Sequence, residues 1–164
     1  MKLDIFRIGA SLVTATLTVL TSTACGIIQP AGVRPEIPET VEHSELVGRW
    51  DGVPECRSPL PVIRLRDDYT FSVKDFPVEW DGPGPDSQVT RRSTDGKWHA
   101  VNKDSGSTPY LVLKFENEKD NKFLPFYLEN GELWMSGSVP VYGEPDHSYP
   151  CQYKRTSVDP DFGR

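Results

Sequence analysis

The sequence predicts an all-β domain, folded as an antiparallel up-and-down barrel of about seven or eight strands, with a two-sheet sandwich as the alternative. Apolar and polar residues alternate with a period of two in several short segments between residues 45 and 157, as in Leu111 to Phe115. Turn-forming sequences separate these segments, and no amphipathic helical pattern appears among them. Short, hairpin-like connections favour an up-and-down meander.

The first half of the domain begins with a strand over Leu46 to Trp50. Asp67-Asp68 then turns the chain between two alternating segments. Residues 81 to 88 carry two prolines and two glycines, which exclude a central strand and predict a loop. Another strand is expected after Asp95-Gly96, with Trp98 in it.

The second half of the domain contains the clearest hairpin. Asn130-Gly131 accepts the positive φ values of a type I′ turn, so the flanking segments are expected to pair. The strand before it, residues 124 to 128, contains Pro125, which predicts an edge strand or a bulge because proline donates no ladder hydrogen bond. Residues 149 to 156 supply the closing strand.

The amino terminus has the sequence features of an export signal. Lys2 and Arg7 precede an uncharged run from Ile8 to Ala24, and small residues then lead to Cys25. This run resembles a bacterial lipoprotein signal, in which the peptidase cuts before the cysteine and the thiol carries a diacylglycerol. The resemblance implies a signal peptide over residues 1–24, lipidation of Cys25, and a lipid-anchored protein on the extracytoplasmic face of the cell membrane.

Two alternatives to this interpretation are an ordinary cleaved signal and an uncleaved transmembrane helix. The absence of charge between Arg7 and Arg34 gives sufficient length for a membrane span. Several threonines before Thr23, and Pro30 beyond it, weigh against such a span. We therefore expect the membrane to be a partner through the lipid anchor.

The segments that flank the predicted barrel differ from it in composition. Residues 25–44 alternate proline with glutamate, which predicts a semi-extended tether at about 3.1 Å per residue. The last residues, 158–164, have the composition of a frayed tail. Only residues 45–157 are expected to form the barrel domain.

Charge limits the partners that the domain can bind. The whole chain has 18 basic and 24 acidic residues, and removal of residues 1–24 leaves 16 and 23, a net charge of −7. Nucleic acids and anionic lipid headgroups attract basic surfaces, so neither is predicted as a partner of this acidic domain.

The three cysteines separate into two roles. If Cys25 carries the lipid, Cys56 and Cys151 remain as a pair in an oxidising, exported environment, and we predict a disulfide between them. Free buried thiols and a metal pair are the alternatives, although no C-x-x-C spacing or nearby histidine supports a metal. The disulfide would close a loop of about 95 residues.

Gly48-Arg49-Trp50 resembles the Gly-x-Trp opening strand of lipocalin-like barrels. In that group the tryptophan closes the base of the barrel, and a basic residue of the last strand stacks on it. The resemblance implies that Trp50 and Arg155, or Lys154 in its place, form a barrel-closing pair by a cation–π contact.

The layout of the chain is similar to that of small actinobacterial lipoproteins of unknown function. The likeness covers most of the chain and is carried by five motifs: Gly48-Arg49-Trp50, Leu65 to Phe71, Gly96-Lys97-Trp98, Gly143-Glu144-Pro145-Asp146 and Arg155. It implies a surface-tethered, lipocalin-like β domain and brings no activity or catalytic residues.

No motif in the chain predicts an enzyme. The nucleophile elbow, the zinc-protease motif, the phosphate loop and the dinucleotide fingerprint are all missing from the sequence, so neither catalysis nor a cofactor is expected. An enzyme of an unrecognised type is kept as an alternative function. Glu144, Asp146 and His147 form the best local cluster for a cation, but an exposed acidic turn is far commoner, and no metal is predicted.

The sequence therefore predicts a non-enzymatic binding domain for a small apolar ligand or an envelope protein. The candidate binding residues are Trp80 in the proline-rich loop, and Trp98, Phe115 and Phe126 in the strands. If the strand aromatics meet inside the barrel, its interior is filled and the domain acts structurally or by interaction. A hollow interior would instead favour a ligand.

Overall fold

The computed structural model describes residues 35–82, 88–102, 107–116, 121–141 and 144–163, and the side chains of Trp80, 139–141 and 144–149 are excluded from that description. The predicted signal peptide, Cys25 and the first part of the tether lie outside these residues. The described residues belong to a compact unit that spans Arg34–Arg164. Within them, no helix combines the length and hydropathy needed to span a membrane.

Eight antiparallel strands form a closed barrel in sequence order, with β8 paired to β1. The predicted up-and-down barrel is therefore confirmed. A short helix, α1 (His43–Leu46), precedes the first strand, and a 3-10 turn (Pro54–Cys56) follows it. The strands are β1 Gly48–Gly52, β2 Val62–Leu65, β3 Thr70–Trp80, β4 Val89–Val101, β5 Tyr110–Phe115, β6 Lys122–Glu129, β7 Glu132–Val141 and β8 Glu144–Ser157.

The barrel has two different ends. The first, here called the helix end, carries α1, the β2–β3 turn and the β6–β7 turn. At the opposite end, here called the loop end, the extended strands β3 and β7 meet through a parallel pairing of Trp80 with Val141. The predicted loop after Trp80 is confirmed at its ends, where the Asp81 N–H donates to the Gln88 carbonyl at 3.0 Å; residues 83–87 lie outside the description.

The β6–β7 connection has the predicted hairpin geometry. Asn130 and Gly131 have φ values of 53° and 78°, which a type I′ turn requires at both central positions. The turn joins Glu129 directly to its partner Glu132. The register of this hairpin places Phe126 opposite Met135, so both side chains face the interior.

The prediction for Pro125 is wrong, because β6 is neither an edge strand nor interrupted by a register shift. Its first half pairs with β5, ending at the pair Tyr110–Pro125, and its second half pairs with β7, beginning at Phe126–Met135. Pro125 lies where the strand changes neighbours. The missing N–H therefore interrupts neither ladder.

The fourth strand is longer than predicted. It begins at Val89, so Asp95 and Gly96 lie inside β4 and pair with Ser72 and Phe71. Gly96 is buried, and the Phe71 ring packs directly over its backbone. Asp95-Gly96 resembles a turn in the sequence but lies within a strand. Glycine is required there because the Phe71 ring occupies the space that a Cβ would fill.

We expect Gly96→Ala to lower the free energy of unfolding by about 1–3 kcal/mol, as overpacked cores do. A Cβ at this position would overlap the Lys114 carbonyl oxygen and lie 2.7 Å from the Phe71 ring. The matched control is Gly82→Ala, since a Cβ there meets nothing within 4 Å. Urea unfolding of both variants checks the result, and equal midpoints would contradict the packing at Gly96.

Both flanking segments differ from their sequence-based description. In the segment predicted as a tether, the Leu128 N–H donates to the Glu36 carbonyl at 2.6 Å, and Val41 is buried. In the segment predicted as a frayed tail, Arg66 contacts Asp161 at 3.2 Å. Residues 35–46 and 158–163 therefore both contact the barrel through hydrogen bonds, and the second segment does so through exposed contacts.

The predicted disulfide is confirmed. Cys56 and Cys151 are bonded, with their Cα atoms 4.6 Å apart, and both residues are fully buried. The bond ties the Pro54–Cys56 turn to β8 at the loop end. Arg91 reinforces this corner, because its guanidinium donates to the Asp75 carbonyl at 2.9 Å and to the Cys56 carbonyl at 3.1 Å.

Candidate functional site

Side chains fill the interior of the barrel. Phe71 and Phe115 pack edge to face with ring centroids 5.2 Å apart, and Phe76 continues the cluster at 5.9 Å from Phe115 and 6.1 Å from Tyr153. Each of these side chains is 5% exposed or less. Burial strongly raises the pKa of the Tyr153 phenol, with the Arg91 charge acting in the opposite direction.

The structure brings two of the four predicted binding residues into this interior. Phe115 and Phe126 lie among the buried core residues and are 5% and 0% exposed. Both therefore pack in the core, as the filled-barrel alternative expects. Trp80 ends β3, but its side chain lies outside the description.

The fourth candidate, Trp98, lies under the helix end of the barrel. It is 2% exposed, and its indole N–H donates to the Arg66 carbonyl at 3.1 Å. His43 of α1 stacks on it, with ring centroids 5.0 Å apart and an interplanar angle of 10°. The His43 Nε2 also lies 3.0 Å from an Asp67 carboxylate oxygen. Trp98 thus holds α1 over the end of the barrel and does not face solvent.

Trp50 and Arg155 are direct partners in the β1–β8 ladder. The cation–π contact that the lipocalin-like resemblance implies between them stays a prediction. Trp50 is fully buried and donates its indole N–H to the Leu46 carbonyl at 2.8 Å. The hydrogen bonds of Arg155 go to backbone, namely the carbonyls of Val47 and Ser44. Burial lowers the pKa of the Arg155 guanidinium, and the nearby Glu45 carboxylate opposes this shift. The pair therefore fastens α1 to the closing strands.

A cavity of about 250 Å³ opens beside this pair at the helix end. Its walls carry both signs of charge, because Glu45 and Arg155 line it together with the ion pair of Lys154 with Glu132. The Lys154 ammonium lies 2.6 Å from the Glu132 carboxylate. The two acidic and two basic side chains offset each other's charge. Such a polar lining is better suited to water than to an apolar ligand.

A second cavity, of about 240 Å³, lies on the outer wall over β6, β7 and β8. Pro35 and Ile37 form one side of it, so the amino-terminal segment borders the groove. Ile37 is 47% exposed. This mixed surface, with the hydroxyl of Ser136 and the amide of Gln152 in its floor, is typical of a protein surface available to a partner.

An aromatic pair lies on the outer face of the same hairpin. Tyr127 and Trp134 are cross-strand partners with ring centroids 6.2 Å apart, and the Lys154 ammonium lies 5.5 Å from the Trp134 ring. The Tyr127 hydroxyl and the Trp134 indole nitrogen are both buried, and neither has a hydrogen-bond partner among the described residues. Burial, and to a lesser extent Glu129, raises the pKa of Tyr127 to about 12.

We expect the raised pKa of Tyr127 to make the protein less stable in alkali. The unfolded chain ionises this phenol near its ordinary pKa of 10, whereas the folded chain holds the proton until about 12. The neutral Tyr127 phenol therefore makes its full contribution to the free energy of unfolding below pH 10, and this contribution is lost as the pH rises toward 12. Ultraviolet titration of phenolate absorbance checks the shift, and Tyr127→Phe should remove one transition near pH 12. Loss of a transition near pH 10 would contradict it.

The described residues contain no group of three or more His, Cys, Asp or Glu side chains placed to hold a metal ion. The cluster singled out in the sequence, Glu144, Asp146 and His147, lies where side chains are not described. Sequence patterns alone do not identify the half-buried Tyr127–Trp134 pair. The alternation of Tyr127 and Trp134 with core residues signals an outward direction, but it does not reveal that they pair across the hairpin.

The fold and these sites define the chain as an eight-stranded up-and-down β-barrel with a packed interior and a disulfide-fastened loop end. Comparison of the chain with models of protein families, with curated proteins and with solved structures finds no match.

Proposed function

We propose that the chain is an exported lipoprotein, anchored through Cys25 on the extracytoplasmic face of the membrane, whose barrel is a non-enzymatic interaction domain for an envelope protein. The observation that carries the interaction role is the packed interior. Phe71, Phe115 and Phe126 occupy the space in which a ligand-binding barrel would hold its ligand. Recognition then falls to the outer wall and the two ends.

The anchor is supported by the sequence around Cys25. The tether that follows it is shorter than its composition suggests, because the Glu36 carbonyl is already bonded to Leu128 of the barrel. Roughly ten residues remain between the lipid and the barrel wall, which gives a reach of roughly 30 Å in extended polyproline geometry. The domain would thus meet partners close to the membrane surface.

Cell fractionation with fatty-acid labelling tests the anchor. We expect Cys25→Ser to abolish labelling and to release the protein from the membrane fraction, since two or three acyl chains are needed for firm attachment. The matched control is Thr23→Ser, which keeps the cysteine and the small-residue cleavage region. If Cys25→Ser stays labelled and membrane-bound, the proposed anchor is wrong.

Crosslinking in intact cells tests the interaction role. The anchored chain should capture a protein partner that the Cys25→Ser variant captures less well, because anchoring confines both partners to one surface. Native mass spectrometry of the purified chain tests the alternative, a small ligand bound inside the barrel. A small apolar molecule retained in a stoichiometric complex would contradict the packed interior and favour a ligand carrier.

A further inference from the structure

Three arginine side chains lie side by side on the outer wall of the barrel. Arg49 of β1 and Arg64 of β2 are direct cross-strand partners, and Arg66 follows Arg64 on the same side of the chain path. Like charges placed opposite each other destabilise a sheet unless anions offset them. We call Arg49, Arg66 and the buried Arg64 the arginine face. It is a concentration of positive charge on a chain whose net charge is −6.

The Asp51 carboxylate on the barrel partly balances this charge, and the neutral Ser72 hydroxyl accepts a further hydrogen bond. The Arg49 Nε donates to an Asp51 carboxylate oxygen at 2.8 Å, and an Arg66 Nη2 donates to the Ser72 hydroxyl at 3.3 Å. Arg49 and Arg66 also contact the last described residues of the chain.

The carboxyl-terminal segment Val158–Gly163, here called the tail, lies across the arginine face. Arg66 Nη2 donates to the Asp161 carboxylate at 3.2 Å, and Arg49 Nη1 donates to the Phe162 carbonyl at 2.8 Å. A Cβ at Gly163 would lie 2.6 Å from Arg49 Nη1, so the tail backbone passes directly against the guanidinium.

These contacts specify the chemistry that the face recognises. A side-chain carboxylate and the main-chain carbonyl of the next residue are bound by two different guanidinium groups. An extended acidic peptide presents this combination, whereas an inorganic phosphate or a lipid headgroup has no adjoining peptide carbonyl. Guanidinium groups bind carboxylates and carbonyls as directed, charge-assisted hydrogen bonds.

The tail is weakly held and can therefore be displaced. Val158 is 73% exposed and Phe162 is 62% exposed, so the tail buries little apolar surface. The Arg66–Asp161 ion pair is also solvent-accessible, and such pairs contribute little to stability. The bond from the Asp161 N–H to the Asp159 carboxylate, at 2.9 Å, shapes the tail without attaching it to the barrel.

We propose that the arginine face is a docking surface for an extended acidic segment of a partner protein, and that the tail occupies it as a built-in competitor. This inference rests on the proposed interaction role and names the chemistry of the partner. A partner segment with carboxylates spaced as in Asp159-Pro160-Asp161 would replace the tail and make the same two kinds of contact.

Peptide binding to the full-length chain in detergent tests this proposal. The probe is a fluorescent peptide with the sequence of residues 157–164, and its control carries asparagine in place of both aspartates. A variant that ends at Ser157 should bind the acidic peptide, and the intact chain should bind it about tenfold more weakly, because its own tail occupies the face. Fluorescence anisotropy measures both affinities, which should weaken as salt is added.

Further substitutions separate the face from general electrostatics. In the shortened chain, Arg66→Gln should weaken peptide binding about tenfold, whereas Lys97→Gln, which removes an exposed positive charge on β4, should leave it unchanged. If the shortened chain fails to fold by circular dichroism, the full-length double variant Asp159→Asn and Asp161→Asn replaces it. That variant should bind the acidic peptide with the affinity expected for the shortened chain.

The proposal is overturned if a folded variant with a shortened or neutral tail does not bind the acidic peptide, or binds the asparagine peptide equally well. Equal binding to phosphatidylglycerol vesicles, or release of the peptide by inorganic phosphate, would assign the face to a lipid headgroup or free anion and would also overturn it. Peptide binding does not involve Cys25. Failure here therefore leaves the anchor and the envelope partner to be judged by fractionation and crosslinking.

Discussion

Replacement of both Cys56 and Cys151 by alanine is expected to lower the free energy of unfolding by about 4 kcal/mol. The disulfide joins residues separated by 95 positions, so its removal returns a long loop to the unfolded chain and increases the entropy of that state. It also removes a fixed connection at the loop end, where the Pro54–Cys56 turn is otherwise held by the hydrogen bonds of Arg91.

Urea unfolding followed by tryptophan fluorescence measures this loss. The matched control is Cys25→Ala, which removes the third cysteine and leaves the disulfide intact. The wild-type chain, once reduced under denaturing conditions and refolded with reductant, should unfold near the midpoint of the double variant. A double variant as stable as the control would show that the barrel does not depend on this bond.

Replacement of Phe126 by alanine should cost about 3–5 kcal/mol, the range observed for large aromatic side chains in packed cores. Phe126 is fully buried in β6, opposite Met135 of β7, and its removal leaves a cavity that a closed barrel cannot easily collapse. Phe123 provides a matched control within the same strand. It faces outward and is 56% exposed, so Phe123→Ala should cost less than about 1 kcal/mol.

Equilibrium unfolding of the two phenylalanine variants checks the contrast, and the result bears on function. A large difference supports a densely packed interior and hence recognition by the outer wall. A cost at Phe126 no greater than that at Phe123 would indicate a loosely filled interior, and the small apolar ligand would then become the better hypothesis.

Much of the fold could be predicted because it depends on patterns between near neighbours. Alternation places Leu111, Leu113 and Phe115 on one face, and the Asn130-Gly131 turn sets the register of its hairpin. The pairing of Cys56 with Cys151 followed from counting, once Cys25 was assigned to the lipid. Such inferences need no knowledge of which distant segments meet.

The sequence was less informative wherever a residue responds to a distant neighbour. Pro125 is tolerated because β6 changes partners at that residue, and this depends on where β5 begins and on where the pairing of β6 with β7 stops. In the sequence Gly96 resembles part of a turn, whereas the structure shows the Phe71 ring packed over its backbone. The hydrogen bond from Leu128 to Glu36 likewise joins segments far apart in sequence.

The sequence by itself determined that this chain is an antiparallel β domain with one pair of cysteines available to each other, because composition, spacing and period-two alternation are local properties. Only the tertiary structure decided that the aromatic side chains meet and fill the barrel, that Trp98 holds α1, and that the tail lies on Arg49 and Arg66. Those outcomes depend on the order and closure of the strands, which bring together side chains that no local pattern connects.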